Sequence, residues 1–366
     1  MKRNMPTAIL NPLLIASPTS EAPLNRGQSV AISNTRQGVI PAHLGMVLWA
    51  LIVGSSFPAV GMMSEGLPPL LLTAIRFAIA ALAILPLVWR KSDHWPSLPG
   101  LALYAFMGLS LAGFFGTMFW AAHRTTALSM ATLYVSVPLL AYFLGRAFGV
   151  EQRAVQLLGI LMLGAVGALG LAWAEAGGQQ GGLKFGLAEA AFFVGCLASA
   201  LYPVLSKWGL SRGWLSPWAG VRTFWSLLTG SMLIGSLGLI WEDPQQLVSM
   251  TFSDGLLLAY LGVFSSGVTF WLTQRATAVV TPAAVTAYSY LVPFVSMLLL
   301  FIDQPQRIGW HWLPGSLLVI LAISLLLNRD ATNRHPNEHT NQLLRRPEQL
   351  AVFPARNKVS YPSTNY

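Results

Sequence analysis

Charged side chains are scarce in this chain. They make up 10% of its 366 residues, where an ordinary soluble domain carries about 25%. A soluble fold must cover itself with polar groups, and the stretch from residue 42 to residue 327 does not supply them. Cysteine is nearly missing as well. The one thiol, Cys196, has no partner within the chain, so disulfides cannot hold the fold; it reads as a small hydrophobe inside an apolar segment. No GxxxxGK[ST] run occurs, which leaves ATP-driven work on this chain without a phosphate cradle. The six histidines make no ligand pattern: His43, His94, His123 and His311 are scattered, and His335 and His339 sit four apart in a polar tail. No metal and no cofactor is therefore expected. The net charge of +9 would suggest nucleic acid in a soluble protein. Here the basic residues gather in particular loops and in the tails, where they orient a membrane protein, so no nucleic-acid partner is expected.

What the chain has in abundance is apolar residues, 54% of the total. A bilayer core is about 30 Å thick, and an α-helix needs about 20 apolar residues to cross it. Closed β-barrels also satisfy their backbone in lipid, but they alternate polar and apolar positions over about ten residues. Stretches such as "LLGILMLGAVGALGLAW" (157–173) are apolar on every face, so helices are expected. Ten spans can be placed, over 42–63, 68–89, 98–121, 125–147, 154–174, 183–208, 216–241, 252–274, 278–302 and 308–327. Residues 1–41 and 328–366 are polar and read as disordered tails. With both termini cytoplasmic, seventeen of the 22 lysines and arginines fall on the cytoplasmic side. Three (Arg124, Lys184 and Arg307) fall on the other, and Arg76 and Arg222 lie within spans. That bias sets the expected orientation.

A short phrase is written twice. "FWAAHRTTA" (119–127) and "FWLTQRATA" (270–278) agree at five of nine positions, 151 residues apart. Pro58 and Pro203, Arg76 and Arg222, Pro138 and Pro293, and Gly159 and Gly315 follow in the same order at similar offsets. Each half, 42–174 and 183–327, then holds five spans, and an odd number inverts the second half. Inverted repeats are a common construction of secondary transporters, with the substrate site near the midplane between them. The expected fold is an all-α membrane protein of ten transmembrane helices in two inverted five-helix repeats.

The segment "VGSSFPAVGMMSEGLPPLLLTAIRFAIAALAILPL" (53–87) resembles the opening of EamA-type proteins of the drug/metabolite transporter superfamily, through Gly54, Ser55, Ser56, Phe57, Pro58, Pro68, Pro69, Arg76 and Phe77. "TPAAVTAYSYLVPFVSMLLL" (281–300) is similar to that family's ninth helix, with Pro293 in place of its proline. The chain departs from the pattern at Val53 and Gly61. It also departs at "FLGRAFGVEQ", where the usual glutamate is displaced to Glu151, and at "FIDQPQ", where Asp303 or Gln304 stands in that role. The resemblance implies ten helices in two repeats, a bacterial inner membrane, and transport of small metabolites, often amino acids and related compounds.

An ionised side chain inside a span costs about 2.5–3.5 kcal/mol on insertion scales, so it calls for a partner or water. Arg76, Glu189 and Arg222 are placed within spans, and an Arg76–Glu189 pair near the outer side of a cavity is one expectation. The other reading for the arginines is snorkelling, or bonding to helix carbonyls. Ser55, Ser56, Tyr134, Ser199, Tyr202, Tyr288 and Tyr290 are cavity candidates, able either to orient a polar substrate or to bond between helices. Pro58, Pro138, Pro203 and Pro293 each lack an N–H and are candidate helix breaks. Gly159, Gly164, Gly167 and Gly170 read as close helix packing. The function expected is alternating-access transport of a small metabolite, in the export direction, with no enzymatic chemistry. The alternatives are a non-transporting membrane partner or an intramembrane enzyme.

Overall fold

The computed structural model describes residues 38–89, 91, 94–122, 124–176, 186–303 and 309–332. His123, Lys184, Gln304, Arg307 and most of both tails lie outside them. Among the described residues, ten helices are long and apolar enough to cross a bilayer: α1 Val39–Gly61, α2 Pro69–Trp89, α3 Leu98–Ala122, α4 Ala127–Ala147, α5 Val155–Glu175, α6 Leu187–Ser211, α7 Ala219–Trp241, α8 Phe252–Val279, α9 Pro282–Leu299 and α10 Trp310–Thr332. No strand occurs among the described residues. Because the number is even, the start of α1 and the end of α10 share one end of the bundle, here the termini end; the opposite one is the far end.

The boundaries differ from expectation where polar residues found partners. α8 runs to Val279 instead of stopping at 274, because the polar Gln274 is wholly buried against Arg222 instead of marking a loop. α10 runs on to Thr332, its last turn carrying Asp330 within 3.3 Å of both Arg329 Nη1 and His43 Nε2. α6 begins only at Leu187, which moves Glu189 from the interior of the span to its first turn. There a carboxylate meets the positive end of the helix dipole.

The four prolines behave in two ways. α4 is interrupted at Val135–Ser136, just before Pro138, and α9 passes through a 3₁₀ turn, Ala287–Tyr290, just before Pro293. In each case the interruption covers or adjoins the residue four before the proline, whose carbonyl loses its donor. The breaks thus fall at corresponding places in the two halves. At Pro58 and Pro203 the expected break is absent, and α1 and α6 stay helical through them. Pro58 is only three residues from the end of α1, so few intrahelical bonds remain beyond it to disturb.

Two large hydrophobic cores and two smaller ones form among the described residues, and none belongs to one half alone. The first joins Met46 of α1, Leu157 and Leu161 of α5, Ala283 and Tyr288 of α9, and Val319 and Leu326 of α10. The second joins Phe77 of α2, Met107 of α3, Tyr202 of α6 and Leu227 of α7. Glycines bring backbones together across the halves. A Cβ at Gly167 would lie 2.9 Å from the Val319 amide nitrogen, and one at Gly315 would lie 2.8 Å from the Gly167 carbonyl oxygen, so α5 and α10 touch main chain to main chain. Gly164 lies under the Tyr290 ring, while Gly159 faces open space. At the far end, Glu242 accepts the amides of Leu70 and Leu71 at 2.8 and 2.9 Å, satisfying N–H groups at the start of α2 that have no intrahelical acceptor. Asp254 accepts from the Ser64 amide and hydroxyl, both at 2.8 Å, and from Thr251.

Candidate functional site

Arg76 lies seven residues into α2, about 10 Å from the far end at 1.5 Å per residue. Its Nε donates to Ser266 Oγ at 2.7 Å, and its guanidinium carbon stands 5.7 Å from the centre of the Phe115 ring on α3. Ser266 belongs to a π-helical stretch, Leu261–Val268, in the middle of α8. Such wide turns shift the side-chain register of a helix and frequently occur at functional sites. The wide turn is pressed onto α2 through Gly262, where a Cβ would lie 2.7 Å from Ile79 Cγ2 and 3.2 Å from the Arg76 carbonyl oxygen. Nη1 and Nη2 of Arg76 make no hydrogen bond to another described residue, and the side chain is only partly buried. At a similar depth by the helix rise, Ser55 Oγ of α1 meets the Tyr260 hydroxyl of α8 at 3.4 Å and donates to the Ile52 carbonyl at 3.0 Å. A chain of aromatic side chains adjoins Arg76: Phe77 stands edge-on to both Phe115 and Phe270, at 5.3 and 5.8 Å, and Phe270 to Tyr202 at 5.6 Å.

Arg222, the counterpart of Arg76 in the second half, has the opposite character. It lies in the first turn of α7 and is fully buried. Nε donates to Gln274 Oε1 at 3.0 Å, Nη1 to the Ser216 carbonyl at 2.7 Å, and Nη2 to the Gln274 carbonyl at 2.6 Å. Ser206 donates to the same Gln274 Oε1 at 2.6 Å, and the Tyr202 and Ser226 hydroxyls meet at 2.9 Å. Lys207 donates to the Ala278 carbonyl at 3.2 Å. Every nitrogen of Arg222 is therefore engaged in fastening α7 to α8 and to the α6–α7 connection.

The structure separates the other expected residues. Glu189 is buried and accepts a hydrogen bond from Thr125. It forms no ion pair with Arg76, since no described acid lies within ion-pair distance of that arginine. The late start of α6 leaves the carboxylate too close to the far end for the expected pair. Ser56 is buried and donates to the Val53 carbonyl at 2.7 Å, within its own helix. Tyr134 is half-buried against Phe114 at 5.8 Å, and Ser199 is half-buried on α6. Tyr288 and Tyr290 are fully buried at the break in α9. Tyr288 meets His43 Nδ1 at 2.8 Å, and the Tyr290 hydroxyl has no hydrogen-bond partner among the described residues.

Four contributors were not legible as such in the sequence: Ser266, Tyr260, Gln274 and His43. Gln274 had one signal, its place at the centre of the repeated phrase. The arginines of that phrase do the same thing in both copies. Arg124 stacks over Trp120 at 4.5 Å and Arg275 over Trp271 at 5.5 Å, each four residues on along its helix.

Ten apolar helices, cores that each draw on both halves, and a polar cluster about a third of the way through the bundle define a polytopic membrane protein built like a transporter. The sequence profile of the EamA-like transporter family matches residues 40–173 and 186–328; the chain belongs to that family and is a membrane transporter. It is 27% identical over 293 residues to the uncharacterized inner membrane transporter YedA of Escherichia coli K12, covering 78% of this chain and 92% of that protein. It is 22% identical over 297 residues to the uncharacterized transporter YcxC of Bacillus subtilis 168, covering 77% and 91%. One solved crystal structure shares the fold with a TM-score of 0.63 at 17% identity, over 78% of this chain and 96% of its own.

Proposed function

We propose that the protein is a secondary transporter of a bacterial inner membrane that exports a small carboxylate-bearing metabolite, of amino-acid type, by alternating access. The observation that carries this reading is the unequal use of the two corresponding arginines. Arg222 spends every guanidinium nitrogen on the protein. Arg76 spends one, and Nη1 and Nη2, the pair that binds a carboxylate end-on, bond no other described residue on a side chain that is only partly buried. The Ser55 and Tyr260 hydroxyls add neutral hydrogen-bonding groups at a similar depth. The partly buried Phe115 and Phe270 rings, both packed on the buried Phe77, supply an apolar surface against which an aliphatic or aromatic side chain of the substrate would rest.

The site is tested by flux into proteoliposomes, comparing a panel of amino acids with the corresponding amines and amides that lack the carboxylate. Saturable uptake confined to carboxylate-bearing compounds, lost in Arg76→Ala and partly retained in Arg76→Lys, is the expected result. Flux of amines and amino acids alike, unaffected by Arg76→Ala, would sink the carboxylate reading. No flux of any compound by folded protein would favour a non-transporting membrane partner.

A further inference from the structure

At the termini end a second polar cluster stands apart from the Arg76 site. His43, four residues into α1, is 1% exposed. Its Nδ1 meets the Tyr288 hydroxyl of α9 at 2.8 Å. Its Nε2 lies 3.3 Å from Asp330 Oδ2 of α10, a charge contact without hydrogen-bond alignment, so that nitrogen is buried and unpartnered. We propose that His43 and Asp330 form a proton-binding site that fastens the first span to the last, and that loss of the proton releases the termini end.

The chemistry follows from the two nitrogens. A neutral imidazole has one donor and one acceptor, whereas the imidazolium has two donors. The Tyr288 hydroxyl can donate to Nδ1 of the neutral Nε2–H tautomer as well as accept from the imidazolium, so what the proton adds is charge: only the imidazolium brings a cation 3.3 Å from the Asp330 carboxylate. Histidine is also the side chain whose ordinary charge change falls between about pH 5 and 8. The surroundings are built for charge. Arg329 Nη1 approaches Asp330 Oδ1 at 3.3 Å from within α10, so the carboxylate is held between two cations when His43 is protonated and one when it is not. From the α4–α5 connection comes Glu151, 6% exposed with an unbonded Oε2. Burial pushes its carboxyl above the usual range, against opposing pulls from a Thr281 hydrogen bond and the charge of Arg329. α8 also packs on α1, and its charge at this end, Arg275, is exposed over Trp271. Lys207 of α6 points to the Ala278 carbonyl. The only charge contact made by the imidazole among the described residues is therefore to Asp330.

The binding itself does not depend on what is transported; that the proton drives flux rests on the transporter reading. The test uses the full chain with Cys196→Ala and spin labels at Ile40, which is exposed on α1, and at Thr332 on the last turn of α10. Interspin distances are measured without substrate at about pH 5.5 and pH 8, either side of the ordinary histidine range. A single short distance at low pH and an added longer population at high pH are expected, with His43→Gln and Asp330→Asn each giving one distribution at both pH values. Identical wild-type distributions at the two pH values would overturn the site, as would a pH response that survives in either folded variant. Should His43→Gln fail to fold, Asp330→Asn carries the same comparison. A pH response in the distances, with flux indifferent to an imposed proton gradient, would keep the site and remove its coupling to transport. Absence of all flux would bear on the transporter reading alone.

Discussion

Arg76 and Arg222 look alike in the sequence, and burial tells them apart. Arg222→Leu takes the guanidinium donors from the buried Ser216 and Gln274 carbonyls and leaves the Gln274 amide oxygen with Ser206 alone. Buried polar groups left without partners cost about 1–3 kcal/mol each, so a loss of about 3 kcal/mol or more is expected, read as a large fall in melting temperature in detergent. Arg222→Lys should restore little, because one ammonium cannot reach three acceptors set out for a planar fork. Arg76→Ala gives up one hydrogen bond, to Ser266, and should cost only about 1 kcal/mol of stability. Its effect belongs in transport: loss of a charge-assisted contact of about 1.5–3 kcal/mol raises the KM for a carboxylate substrate roughly ten- to hundredfold. Equal melting losses in the two variants would contradict this division. The sequence made both arginines visible as charges in apolar spans. It could not show which was saturated, because that depends on Gln274, whose polarity reads as the end of a span until its burial is known.

Helix existence was legible and helix interruption only partly so. Ten apolar runs of bilayer length leave little freedom, and all ten spans are present. The prolines were read as one symmetric set, yet only Pro138 and Pro293 coincide with breaks. A proline breaks a helix when the freed carbonyl has somewhere else to go. Near Pro293 the chain takes a 3₁₀ turn, whereas Pro58 stands almost at a helix end. The π-helical stretch around Ser266 carries no proline and no sequence mark. Its position is set by contact with α2 at Gly262, a tertiary fact. Replacing that glycine tests the element directly. Gly262→Val would drive two methyl groups toward Ile79 and the Arg76 carbonyl, a strain of about 1–3 kcal/mol. It should also move Ser266 away from Arg76, so that flux falls further than the melting temperature accounts for. Gly159→Ala, at a glycine that faces open space, should change neither.

For the whole molecule, the repeats visible in the sequence are not the units that fold. Both large cores mix helices from the two halves, and the α5–α10 and α1–α9 contacts cross between them. Residues 1–181 or 182–366 alone would expose apolar faces meant for the other half. Each alone should aggregate on extraction, while the two coexpressed should copurify as one complex; recovery of either half as a stable monomer would refute the mixed cores.

The termini end, where the two halves close on each other, should also respond to acid. The folded protein holds the Glu151 proton more tightly than the unfolded chain does, because burial raises its carboxyl. Its contribution to stability is therefore greatest below the ordinary glutamate range, and it declines as pH rises from that range towards the raised folded value. Glu151→Gln removes the ionisation while keeping a group able to bond Thr281. Melting temperatures measured from about pH 4 to pH 8, spanning the ordinary glutamate value and the raised one, should fall less steeply in this variant. At neutral pH it should be the more stable of the two proteins. A wild-type profile no steeper than that of Glu151→Gln would mean that the carboxylate stays ionised, held by Arg329 and Thr281 rather than neutralised by burial.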